Sequence, residues 1–225
     1  MNFNEWKQRE LHKGNFFITD GIIDKQRWES SKVKILYILK EAYVSDPRET
    51  QEWDLCNHLT KGLTELKKKM WWTLSQWSYG INKLVETNEI LQFNEGFKND
   101  DDFNEAFLSS AIINIKKSAG KRTSKKSDLS LYVENDWDLI SKQIEEINPD
   151  LIVCGATWPI IEKHLKAQDF LDFEKCACSE WLYQRDKYYF VDFWHPANQY
   201  PNKLNYYSLL TALKFSVNKW SKVPC

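Results

Sequence analysis

Glycine is scarce in this chain, with 7 among 225 residues. The closest pair, Gly14 and Gly21, lies seven positions apart, so neither G-x-G-x-x-G nor G-x-x-x-x-G-K can be written anywhere. Those motifs build the common glycine-rich loops that cradle phosphate groups. Nucleotide binding through such a loop is therefore excluded.

Cysteine shows no disulfide framework and no metal-ligand spacing. The five cysteines are irregularly spaced, and the one close pair, Cys176 and Cys178, has neither a second pair nor a histidine beside it. Reduced thiols in a cytoplasmic protein are the simplest account of this pattern. We expect no metal and no cofactor.

The chain also lacks an excess of charge and a long apolar run. Its 31 basic and 32 acidic residues exclude a wholesale polycation that coats nucleic acid, although a local basic patch stays possible. No apolar run approaches the ~18 residues of a membrane span, and the first residues, MNFNEWKQRELHK, contain no signal-peptide stretch. We expect a soluble, cytoplasmic, monomeric protein without a membrane partner.

Short apolar segments alternate with segments of helical periodicity. This alternation predicts a three-layer α/β/α fold with a four-stranded, mainly parallel sheet in a single domain over residues 1–225, of which 1–30 are a lead-in. A long helix is predicted from about Val133 to Ile147. The predicted strands lie near residues 33–39, 111–115, 150–155 and 188–194.

Four residues that can bind or react stand at the ends of these strands. They are Glu41, Asn114, Gly155 and His195. Because ligands bind beyond the carboxyl ends of parallel strands, we expect these residues to meet at one edge of the sheet. Each also has a structural alternative: Glu41 in a surface salt bridge, Asn114 capping a turn, Gly155 in a tight turn, and His195 as a structural histidine.

Four segments, taken in order, resemble the motifs of the uracil-DNA glycosylase superfamily. ILKEAY resembles a first motif written G-E-A-P-G or G-Q-D-P-Y, and FLSSAIINIKK resembles a strand ending in Thr-Asn-x-x-Lys. NPDLIVCGAT is similar to the segment K-P-x-x-I-v-x-L-G-a-t, and VDFWHPAN resembles the histidine motif H-P-S or H-P-A. The resemblance spans roughly residues 33–200. In the first motif the family's glycine is replaced by Lys40 or Leu39 and its proline by Tyr43 or Ala42, depending on the register. The chain also lacks the early Cys-x-x-Cys of branches that hold an iron–sulfur cluster, so no cluster is expected.

The resemblance implies a DNA glycosylase that hydrolyses the N-glycosidic bond of a flipped-out base. It implies catalytic roles for His195, as hydrogen-bond donor to the departing base, and for Glu41, which would orient water or face the sugar cation. Asn114 would read the base edge, with Tyr43 and Gly155 as further base-binding residues. The aromatic residue that holds the base cannot be aligned, and Trp53, Trp71 and Trp72 are candidates.

Residues 116–126, KKSAGKRTSKK, hold six basic residues and no acidic one. We predict a loop here that grips DNA phosphates beside the site, although a solvated loop without a ligand is an open alternative. After the histidine, Asn198 and Tyr200 stand where the superfamily has a DNA-inserting loop, and a packed surface tyrosine is the alternative there. The predicted DNA-binding residues are Lys116, Lys117, Lys121, Arg122, Lys125, Lys126, Asn198 and Tyr200.

Two other functions fit the same sequence. One is a non-catalytic nucleic-acid-binding module on this fold, which Lys40 favours because a long side chain there obstructs a pocket. The other is an enzyme of free nucleosides or nucleotides, which the basic run disfavours because a small substrate needs no phosphate track.

Overall fold

The computed structural model describes residues 2–43, 52–94, 100–121, 123–169, 174–175, 181–185 and 187–221. The strands are β1 (Ile18–Thr19), β2 (Gly21–Ile22), β3 (Ile35–Tyr43), β4 (Trp53–Asp54), β5 (Ala111–Gly120), β6 (Leu151–Gly155), β7 (Glu174–Lys175), β8 (Leu182–Arg185) and β9 (Tyr188–Phe193). The helices are α1 (Phe3–Lys7), α2 (Lys25–Ser30), α3 (Leu55–Leu59), α4 (Lys69–Thr87), α5 (Asp101–Leu108), α6 (Lys126–Ile147), α7 (Trp158–Asp169), α8 (Asn202–Lys214) and α9 (Val217–Trp220).

The main sheet is mostly parallel and holds seven described strands in the order β2-β5-β3-β6-β9-β8-β7. The four predicted strands form its centre, where β5, β3, β6 and β9 pair in parallel. The predicted count of four is wrong, because β2, β8 and β7 add antiparallel pairs at the two edges. These edge strands have two to four residues, which is too short for a recognisable alternation of apolar and polar side chains.

Helices cover both faces of the sheet. On one face, Tyr37 and Leu39 of β3 pack in a core with α3, α4, α5, α8 and α9. On the other face, Leu36 and Ile38 pack in a second core with α1, α2, α6 and α7. Because successive side chains of a strand point to opposite faces, a central strand covered on both sides must be apolar throughout. The α/β class with helices on both faces is therefore observed.

Two boundaries differ from the prediction in the basic segment. β5 continues through Gly120 instead of ending after residue 115, and α6 begins at Lys126 instead of near Val133. Leu129 and Val133 already lie in the core beneath the sheet, which extends the buried face of α6 toward its start. The connector is therefore about half as long as the predicted loop.

Within the described residues, no helix is both long enough and apolar enough to span a bilayer.

Candidate functional site

A cavity of about 780 Å³ opens beyond the carboxyl ends of the central strands. Its walls come from the end of β3, from Asn114 within β5, and from the residues that follow β5, β6 and β9. The first turn of α4 closes another side. Glu41, Asn114 and His195 all line it. The structure thus brings together these three predicted site residues, which are far apart in sequence.

His195 follows β9 and is held as a neutral hydrogen-bond donor. Its Nδ1 accepts a hydrogen bond from the backbone N–H of Ala197 at 3.1 Å, so the proton of the neutral ring must be on Nε2. Burial, helped by the nearby charge of Lys40, lowers the pKa of His195 from 6.5 to about 4. At pH 7 the imidazole is therefore uncharged, and among the described residues nothing accepts the Nε2 proton.

Asn114 presents a fixed carboxamide from within β5, between Ile113 and Ile115. Its backbone N–H and its Nδ2 donate to Oδ2 of Asp20 at 2.8 and 3.3 Å. A carboxylate only accepts hydrogen bonds, so nitrogen rather than oxygen must face Asp20. Within the described residues, Oδ1 and the second N–H of the amide have no partner, which leaves a donor and an acceptor for a ligand.

Glu41 forms an ion pair, but a buried one. Its carboxylate lies 3.0 Å from Nζ of Lys116, and its side chain is 4% exposed. Gly120 makes room for it, since a Cβ at that position would lie 2.3 Å from Cγ and Cδ of Glu41. The carboxylate is thus fixed at the cavity wall, whereas the sequence left open a surface salt bridge.

Lys116 and Lys117 cannot serve as phosphate ligands, and their assignment as DNA-binding residues is corrected. Lys116 is paired with both Glu41 and Asp128. Lys117 is fully buried, lies 2.5 Å from Asp20, and sits over the ring of Trp6. Both belong to β5 rather than to a loop, and their charges are neutralised inside the protein.

The cavity nevertheless has a basic rim. Lys121 lines it, together with Lys40, Lys68 and Lys69, which were not among the predicted phosphate ligands. None of these four lysines has an ion-pair partner in the described parts of the chain. Lys68 and Lys69 stand at the start of α4, and only the fold brings that helix end to the site.

The other predicted phosphate ligands are less well placed. Lys125 and Lys126 are exposed where α6 begins, and neither lines the cavity. Arg122 lies outside the described residues. A phosphate contact by Lys125 or Lys126 would therefore be peripheral to the cavity.

Gly155 does not line the cavity, so its assignment as a base-binding residue is corrected. A Cβ on Gly155 would lie 2.7 Å from Cδ2 of Leu39 and 3.3 Å from Cδ of Pro196. The glycine lets the end of β6 pack against β3 and against the residue after His195. The next residue, Ala156, lines the cavity instead and has a positive φ of 57°.

The loop after His195 is organised by Asn198. Its Oδ1 accepts from the backbone N–H of Tyr200 at 2.8 Å and from Nδ2 of Asn205 at 3.1 Å, and its Nδ2 donates to the carbonyl of His195. Asn198 lines the cavity, but these bonds make its amide a structural group rather than a DNA ligand. Tyr200 is 51% exposed and packs against Trp194, with ring centroids 4.8 Å apart.

Aromatic side chains form part of the cavity wall. Trp53 and Trp71 line it, as does Tyr43, which is 47% exposed. Trp72 does not line the cavity and instead donates to the carbonyl of Leu63. Trp194 also lines it and was missed, although its place directly before His195 was a signal.

No protein-family model matches the chain, and no curated protein matches it significantly. In the described part of the chain, no group of three or more His, Cys, Asp or Glu side chains is arranged to hold a metal ion. Function is therefore inferred from the cavity.

Proposed function

We propose that this protein is a DNA glycosylase that hydrolyses the N-glycosidic bond of a flipped-out damaged or modified base. The observation that carries the proposal is the neutral His195 donor in one cavity with the Asn114 amide and the Glu41 carboxylate. In this reaction the bond between sugar and base breaks, and the base departs with the electron pair. A water oxygen bonds to the sugar carbon and loses a proton, and the departed base takes up a proton. Negative charge grows on the base while positive charge grows on the sugar.

His195 stabilises the departing base. Its Nε2–H donates to a base oxygen as that oxygen gains charge, and a fixed donor aimed at developing charge contributes about 2.7–4 kcal/mol to the transition state. The lowered pKa keeps the ring neutral, so the donor is in place without an additional positive charge. The bond from Ala197 holds the required tautomer.

Glu41 acts on the sugar side. Its carboxylate stabilises the cationic sugar and orients the attacking water, the roles that carboxylates have in glycoside hydrolysis. Lys116 and Gly120 hold the side chain in one position, so little reorganisation is needed during the reaction.

DNA binds at the basic rim, and one nucleotide rotates out of the duplex into the cavity. Lys68, Lys69 and Lys121 contact phosphates, while Tyr43, Trp53 and Trp71 offer aromatic faces to the extruded base. Leaving the base stack costs a few kcal/mol, which the exposed Tyr200 offsets as a wedge in the duplex. The protein acts as a cytoplasmic monomer in this proposal.

The resemblance to the uracil-DNA glycosylase superfamily supports the assignment. In that resemblance the acidic, amide and histidine residues follow separate strands in the order Glu41, Asn114 and His195. The departures at Lys40 and Tyr43 affect which base the cavity accepts more directly than whether it binds and releases a base.

A second candidate is a module on the same fold that recognises a modified base without cleaving it. The ion pair between Glu41 and Lys116 favours this candidate, because a neutralised carboxylate stabilises a sugar cation less well. Lys40 beside His195 adds a positive charge near the developing sugar cation, which also disfavours cleavage.

Duplexes that contain different modified bases distinguish the two. A glycosylase leaves abasic sites that alkali cleaves, and the yield falls in His195→Ala. A binding module retards one modified duplex preferentially but produces no alkali-sensitive site with any base.

A further inference from the structure

A buried polar cluster lies directly behind Asn114. Asp20, between β1 and β2, lies 2.5 Å from Nζ of Lys117, and both side chains have no exposed surface. Gln143 of α6 completes the cluster: its Nε2 donates to the carbonyl and Oδ1 of Asp20, and its Oε1 accepts from Lys117 at 2.9 Å. Buried charges are costly unless they are paired and hydrogen-bonded, and here both conditions are met.

The cluster touches the cavity at one point, the amide of Asn114. Oδ2 of Asp20 accepts from both the backbone N–H and Nδ2 of Asn114. A 180° rotation of the amide would place its Oδ1 against the Asp20 carboxylate, where two acceptors repel each other and a hydrogen bond is lost. The carboxylate therefore selects one of the two amide orientations.

We propose that Asp20 is a positioning residue that fixes the donor–acceptor order of the Asn114 amide and thereby determines which base edges the cavity accepts. The proposal rests on the proposed function, because it takes Asn114 as the residue that reads the base. Lys117 and Gln143 hold the Asp20 carboxylate in place and supply its counter-charge.

The chemical reason is that an amide free to rotate matches two opposite base edges. In one orientation it pairs with a ring N–H beside a carbonyl, and in the other with a ring nitrogen beside an amino group. Uracil and cytosine differ in this way along one edge. An amide held in one orientation accepts one of these edges and leaves an unpaired polar group against the other, which is where strong discrimination arises.

The double variant Asp20→Asn/Lys117→Met tests the proposal without leaving an isolated buried charge. The carboxamide introduced at position 20 can donate to or accept from Asn114, so the amide of Asn114 can rotate. If the double variant folds poorly, the single variant Asp20→Asn is the alternative test. Burial lowers the pKa of Lys117, so in that variant the lysine can lose its proton and no isolated charge remains. Asp136→Asn is the matched control, because Asp136 is equally buried, binds His12 at 2.6 Å, and does not contact Asn114.

The first measurement does not depend on activity. The side-chain amide protons of Asn114, assigned by their loss in Asn114→Ala, are followed by NMR hydrogen exchange. We expect exchange to accelerate about 10- to 100-fold in Asp20→Asn/Lys117→Met, the range set by losing a hydrogen bond to a charged group, and to stay unchanged in Asp136→Asn. Unchanged protection in the double variant would overturn the positioning role.

The second measurement is the ratio of base-release rates for duplexes with uracil and cytosine, and with hypoxanthine and adenine. The double variant should lower the preferred-to-disfavoured ratio at least about tenfold, while Asp136→Asn keeps the wild-type ratio. Loss of amide protection with an unchanged ratio would overturn the link to base choice. If the wild type releases no base, the proposed function fails, whereas the exchange measurement still decides whether Asp20 positions Asn114.

Discussion

The backbone N–H of Ala197 donates to Nδ1 of His195 at 3.1 Å, two residues back along the chain. This single contact assigns the tautomer of the ring, because a nitrogen that accepts a hydrogen bond cannot also hold the proton in the neutral form. Together with the lowered pKa, it leaves Nε2–H as an uncharged donor at neutral pH.

An NMR titration of His195 checks this assignment. We expect the Nε2–H tautomer at pH 7 and a protonation midpoint near pH 4. The folded-state pKa lies below the unfolded value, so the unfolded chain binds more protons between about pH 6.5 and pH 4. The contribution of His195 therefore lowers the free energy of unfolding as the pH falls through this window. His195→Gln should remove that part of the pH dependence, and a midpoint near 6.5 would contradict the buried neutral ring.

Gly120→Ala should displace Glu41. The new methyl group would lie 2.3 Å from Glu41 Cγ and Cδ, closer than any real contact, so the carboxylate must leave Lys116. Overpacking of this kind costs about 1–3 kcal/mol of stability. Base release should fall as far as in Glu41→Gln.

A double-mutant cycle provides the control for Gly120→Ala. Glu41→Ala removes the clashing side chain, so Gly120→Ala/Glu41→Ala should be more stable than the sum of the single effects predicts. Purely additive changes in the free energy of unfolding would show that an alanine at position 120 does not clash with Glu41.

The basic rim should determine the salt dependence of DNA binding. Replacing Lys68, Lys69 and Lys121 together by alanine should reduce the slope of log affinity against log salt by about 2 to 3, at about 0.9 per phosphate contact. The matched control replaces Lys142, Lys163 and Lys219, none of which lines the cavity. An equal reduction of the salt slope in both triple variants would mean that the rim lysines contribute no more to DNA binding than lysines elsewhere on the surface.

The central strands and the polar residues that follow their apolar runs could be predicted because each carries a local signal. β6, LIVCG, is apolar at every position before its glycine and is buried on both faces, and His195 and Asn114 directly follow apolar runs. The rule that ligands bind beyond the carboxyl ends of parallel strands then places their side chains at one edge.

The basic segment could not be predicted because its structure depends on distant partners. Lys117 looks like a solvent-exposed residue in sequence, yet it is buried because Asp20, 97 positions earlier, neutralises it. Asp20 itself was not recognised, since an isolated acidic residue in a lead-in segment carries no local signal. Lys68 and Lys69 approach the cavity only through the packing of α4 against the sheet.

The most direct measurement is the single-turnover rate of base release from the best duplex substrate, compared between wild type and His195→Ala. We expect the variant to be about 10²–10³-fold slower, because the Nε2–H bond strengthens as the departing base gains charge. Its affinity for the intact duplex should stay within about threefold of wild type, because the hydrogen bond from His195 becomes strong only in the transition state. A rate equal to that of wild type, or the absence of base release from every duplex tested, would contradict the account.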